Sequence, residues 1–125
     1  MALDNDSLAL VADIHPDLKH IVTELSKEMD IVVKTGHRDH AAQVNAFNLG
    51  TSRHVWPNSR HNTLPSMAVD IVPKDAANDD VYKFREMLRR IERIADLADI
   101  KIQLGRDFQF REYCHIQLHS KHRKT

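Results

Sequence analysis

The stretch Ser59-Arg60-His61-Asn62-Thr63-Leu64-Pro65-Ser66-Met67-Ala68-Val69-Asp70 sets a histidine in a polar loop and then a carboxylate inside an apolar run, Met67 to Val72, that reads as a buried strand. Burying an unpaired Asp is costly, so Asp70 calls for a cation, a hydrogen-bond cluster or a metal. Alternation turns Met67, Val69 and Ile71 to one side and Ala68 and Asp70 to the other, and the small Ala68 leaves room over the polar face. Far downstream, Cys114-His115-Ile116-Gln117-Leu118 reads as another short strand. There His115 and Gln117 share a face, while Cys114 points the other way into the packing. His61, Asp70 and His115 together make a set of two histidines and one carboxylate. Three such ligands leave the fourth position of a tetrahedral zinc ion open to water, as in a catalytic rather than a structural site.

Working outward, Pro16 and Asp17 suit the first turn of a helix, and Leu18, Ile21, Val22, Leu25 and Met29 follow at helical spacing. Ile31 to Thr35 is short and β-branched, a strand by propensity. Gly36-His37-Arg38 ends it, and Asp39 is placed to cap a helix running through Ala41, Ala42, Val44 and Phe47 to Gly50. Arg38 thus stands at a strand-to-helix corner, where scaffolds commonly mount functional groups; the plain alternative is a salt bridge to Asp39 or another acid. Residues 51–66 form a long polar loop of the kind that carries function in a compact domain. It holds a second histidine, His54, ranked below His61 as a ligand. Asn78, Asp79 and Asp80 precede a long helix with Val81, Phe84, Met87, Leu88, Ile91, Ile94 and Leu97 inward and a mixed-charge outer face. Ile100 to Leu104 alternates as a strand, and Gly105-Arg106-Asp107 signals a turn. This order predicts an α+β fold in which a small, mainly antiparallel sheet packs against helices and carries the zinc site.

A chain of 125 residues suits one domain, spanning 1–125. Lys plus Arg balance Asp plus Glu at 18 each, which argues against a protein that works by neutralising nucleic-acid phosphates. The basic segment His119 to Thr125 reads as a solvated terminus. Cys114 is the only cysteine, so no intramolecular disulfide can form. The first residues lack the pattern of a secretory signal, and no apolar run approaches a membrane span. The expectation is a monomer made in the cytoplasm, without stable membrane insertion.

Taken singly, each candidate has an ordinary structural reading, since most buried histidines are simply hydrogen-bonded and most acids before strands are solvated. Their order changes this. Ser59-x-His61, Pro65-Ser66-x-Ala68-Val69-Asp70 and Glu112-x-x-His115-x-Gln117-Leu118 resemble the zinc peptidase family of D-alanyl-D-alanine carboxypeptidases, vancomycin-resistance dipeptidases and phage L-alanyl-D-glutamate endolysins. His15-Pro16-Asp17-Leu18, Gly36-x-Arg38-Asp39 with Gln43, and Gly105-x-Asp107 extend the likeness over most of the chain. The spacing from His61 to Asp70 favours the compact endolysin branch.

The resemblance implies that His61, Asp70 and His115 bind Zn2+ and that Glu112 is general base and acid. It implies that Arg38 contacts substrate or the developing oxyanion, and that Ser59 and Gln43 belong to the substrate pocket. The substrate would be a stem-peptide bond of bacterial peptidoglycan, L-alanyl-D-glutamate. An endolysin would reach the periplasmic wall from the host cytoplasm through a holin-type pore. Two departures stand out: Glu112 replaces the family's usual aspartate, and Phe108-Gln109-Phe110 replaces an often tryptophan-bearing segment. Two other functions fit parts of the pattern, a non-catalytic zinc-stabilised cell-wall binding module of the same fold and a histidine-metal nuclease using His61-Asn62. Neutral net charge weighs against the nuclease.

Overall fold

The computed structural model describes residues 3–77, 80–107, 113–120 and 122. Four helices, α1 (Asn5–Val11), α2 (Pro16–Glu28), α3 (His40–Asn48) and α4 (Val81–Leu97), accompany four strands, β1 (Ile31–Thr35), β2 (Ala68–Pro73), β3 (Ile102–Leu104) and β4 (His115–Leu118). The strands form one sheet in the order β1-β2-β4-β3, and every neighbouring pair is antiparallel. This is the expected α+β architecture, with the sheet antiparallel throughout.

Each helix starts on a side-chain cap that satisfies a free backbone N–H. Asp4 accepts from Ser7 N at 2.7 Å, His15 from Asp17 N at 3.0 Å, Asp39 from Ala42 N at 2.8 Å and Asp80 from Lys83 N at 3.2 Å. The apolar stripes of α2 (Leu18, Ile21, Val22, Leu25) and α4 (Phe84, Met87, Leu88, Ile91, Ile94) are buried and join Val33, Val69, Ile71, Ile116 and Leu118 of the sheet in one core. Glu28 of α2 pairs with Arg90 and Arg93 of α4 over this contact. Arg106 likewise reaches Glu92. The outer face of α4 is thus a solvated, ion-paired surface.

The structure departs from the periodicity at three places. Val81 and Leu97, counted inward, are 39% and 83% exposed, because they sit in the first and last turns of α4, at the edges of the apolar stripe. In α3, Val44 and Phe47 are exposed and Gln43 is the buried residue. The helix α1 was not expected; it runs along β1, and its buried Ser7 accepts from Val33 N at 2.9 Å, covering part of an edge strand.

The loop after α3 is fastened to the framework by backbone bonds. Ser66 N donates to Asp13 O at 2.8 Å, His15 N to Ser66 O at 2.9 Å and Met67 N to Arg60 O at 3.0 Å. Arg60 reaches Leu118 O of β4 at 2.7 Å. These ties hold the loop containing His61 over one end of β2 and β4.

Candidate metal centre

Asp70 on β2 and His115 on β4 are register partners, so their side chains project from the same face of adjacent strands. His61 comes from the loop and is 2% exposed, and its ring meets that of His115 edge-on at 5.2 Å. His115 Nδ1 is 3.1 Å from Asp70 Oδ1, and His61 Nε2 is 3.4 Å from the same oxygen. One donor atom from each of the three residues lies within 4.8 Å of the other two. The trio selected from sequence is therefore brought together on the sheet.

The hydrogen bonds around the trio decide what it can hold. His61 Nδ1 lies 2.7 Å from Gly36 O, and a carbonyl only accepts, so Nδ1 carries the proton. In a neutral ring Nε2 then presents a lone pair, and this buried atom has no hydrogen-bond partner among the described residues. Burial pushes the Asp70 carboxyl up, but the imidazoles of His115 and His61 beside it outweigh this and hold the group below the usual carboxylate range. A lone pair thus faces an ionised carboxylate across a short gap. A cation resolves that conflict, and two imidazole nitrogens with one carboxylate oxygen are a donor set suited to a divalent transition metal. Gly36 O, fixing the His61 ring from behind, is the kind of partner a metal-binding histidine ordinarily has.

Beside the trio, Arg38 is tied to the same loop. Its backbone N donates to His61 O at 2.8 Å, and its Nη1 donates to Gln43 Oε1 at 2.9 Å. Gln43 is fully buried. Its Oε1 also accepts from Asn62 Nδ2 at 3.0 Å, and its Nε2 donates to Ser52 Oγ at 2.9 Å and His54 O at 2.6 Å. Asn62 closes the circuit by donating to Arg38 O at 3.1 Å and accepting from Ser59 N at 3.0 Å.

This network places several of the residues singled out in the sequence. Gln43, assigned from resemblance to the substrate pocket, has both ends of its amide engaged inside the protein and stands behind Arg38. Ser59 is buried and its Oγ accepts from His61 N at 3.2 Å, so its hydroxyl shapes the loop. His54 contributes its carbonyl to Gln43 and is not in the trio. Arg38 pairs through its side chain with Gln43 and not with Asp39, whose carboxylate caps α3. Glu112 and Phe108-Gln109-Phe110 lie outside the described residues. Two participants were missed in sequence: Asn62, and Gly36, whose carbonyl orients His61.

An α+β sheet bearing a His-Asp-His trio on one face is thus the class of protein that the coordinates define. No protein-family model matches the sequence, and no curated protein matches it. Solved structures do: the crystal structure of the L-Ala D-Glu endopeptidase ChiX from Serratia marcescens aligns with a TM-score of 0.78. The alignment covers 94% of this chain and 90% of that one at 22% sequence identity, a likeness that establishes a shared fold. Among the described residues, no helix is long and apolar enough to cross a membrane.

Proposed function

We propose that this chain is a zinc-dependent peptidase that hydrolyses a stem-peptide bond of bacterial peptidoglycan, between L-alanine and D-glutamate, and that it serves as a phage endolysin. The observation that carries the reading is the convergence of His61, Asp70 and His115 with a buried His61 Nε2 that has no hydrogen-bond partner among the described residues. The fold shared with an L-Ala D-Glu endopeptidase supports the substrate class. In this reading His61, Asp70 and His115 hold Zn2+, which when bound supplies Lewis acidity and makes water a usable nucleophile near neutral pH.

The chain's own groups do the rest. Water adds to the alanyl carbonyl carbon, the C–N bond to glutamate breaks, and one proton moves from the water to the leaving amine. Glu112, three residues before His115, is the proposed carrier of that proton, base in addition and acid in departure. Arg38, steadied by Gln43, offers its remaining N–H groups to the oxygen on which negative charge develops. The protein would act as a monomer on the periplasmic wall after release from the host cytoplasm through a holin-type pore.

Mass analysis of fragments released from purified peptidoglycan tests both catalysis and bond choice. The expected products carry a new amino terminus on D-glutamate, and His61→Ala, Asp70→Ala and Glu112→Gln lose them. Binding to the wall without release of amino groups would replace the peptidase with a binding module of the same fold.

A further inference from the structure

We infer that Gln117, braced by Gln103, is a positioning residue that selects which ring nitrogen of His115 carries a proton and so makes Nδ1 available as a ligand. The inference rests on reading the His61-Asp70-His115 trio as a metal centre.

Gln117 lies two residues beyond His115 on the same face of β4, opposite Ala68 of β2 and Gln103 of β3. Its Oε1 is 2.9 Å from His115 Nε2, and its Nε2 donates to Gln103 Oε1 at 2.9 Å. An amide has one accepting and one donating end. Because Gln117 donates to Gln103, it must accept from His115, so the proton sits on Nε2. The opposite nitrogen, Nδ1, then turns a lone pair toward Asp70 Oδ1, 3.1 Å away. His61 presents its own lone pair to the same oxygen by a different route, the Gly36 carbonyl.

The two glutamines form a relay that can run in either direction. With both amides reversed, Gln103 donates to Gln117, Gln117 donates to His115 Nε2, and the ring proton moves to Nδ1. That ring hydrogen-bonds Asp70 but has no lone pair to give a cation between them. The direction seen here gives Nδ1 the lone pair a ligand needs, and accepting from Nε2–H also raises the ring's basicity. Small, fully buried Ala68 opposite Gln117 fits this arrangement.

The test is Zn2+ affinity by competition with a chromophoric chelator, on the full chain and three variants, with the folded fraction of each checked by thermal unfolding. Gln117→Leu removes the acceptor and is expected to weaken Zn2+ binding by about 10–100-fold, the usual range for loss of such a partner. Gln117→Glu keeps an acceptor facing Nε2–H, and Gln103 meets it by turning its own amide; affinity should stay within about threefold of the parent. Gln103→Leu should fall between them. In the Zn2+-loaded parent, the nitrogen-15 resonances of His115 should show a protonated Nε2 and a metal-bound Nδ1.

Affinity unchanged in Gln117→Leu, an equal loss in Gln117→Leu and Gln117→Glu, or ligation through Nε2 would each overturn the positioning role. A parent chain that takes up no Zn2+ would instead remove the metal centre itself, and this role with it.

Discussion

His61 Nδ1 and the carbonyl oxygen of Gly36 lie 2.7 Å apart, joining a loop histidine to the end of strand β1 across 25 residues of sequence. The bond exists because Gly36 lets its backbone run close beneath α1. A Cβ added there would stand 2.6 Å from Leu10 O and 3.1 Å from Ile14 Cγ2, with backbone the nearer obstacle. Gly36→Ala is therefore expected to displace the Gly36 carbonyl. It should lower stability by about 1–3 kcal/mol, the usual range for overpacking, and weaken metal uptake as well. Denaturant unfolding and a Zn2+ titration on the same preparation check both effects.

Arg38 and Gln43 are expected to respond differently to truncation. Arg38→Ala removes a half-buried guanidinium from the residue whose backbone is bonded to His61, and turnover should fall by about 10²–10³-fold with stability little changed. Gln43→Leu leaves Asn62 Nδ2 without one of its two acceptors and strips Arg38 of its brace. Stability should then fall by about 1–3 kcal/mol, with a loss of turnover through Arg38. Steady-state kinetics and unfolding of the two variants separate them.

Acid sensitivity is expected at the contact between α2 and α4. Burial alone would raise the Glu28 carboxyl, but hydrogen bonds from Arg93 and Arg90 outweigh it and hold the group below its ordinary value of 4.5. A carboxyl depressed on folding contributes stability above its unfolded pKa and loses it as pH falls through the folded one. Glu28→Gln should lower the Tm near neutral pH, and the gap to the parent should close as pH is taken below 4.5. Tm measured across that range gives the answer.

Much of this was legible in the chain because the strongest signals were local. The β-branched run Ile31 to Thr35 is a strand with those bounds, Asp39 caps the helix it was placed to cap, and Asp80, one of three candidates, caps the long helix. The trio was found because a carboxylate in an apolar strand and a histidine in another have few reasons to be there. What escaped depended on distant contacts. Helix α1 is short and is held by packing on β1 and by the bond to Ser7, which sequence periodicity does not register. Helix α3 docks through the polar Gln43 and leaves its apolar Val44 and Phe47 exposed, a preference that composition alone does not reveal. The service of Gly36 O to His61 is a backbone property and leaves no side-chain signature.

The most direct test of the account is the rate of amino-group release from purified peptidoglycan by protein stripped of metal, before and after adding one equivalent of Zn2+. The account predicts no release from the stripped protein and recovery on adding Zn2+, with no recovery in Asp70→Ala. Release at an undiminished rate from the fully stripped protein would contradict it.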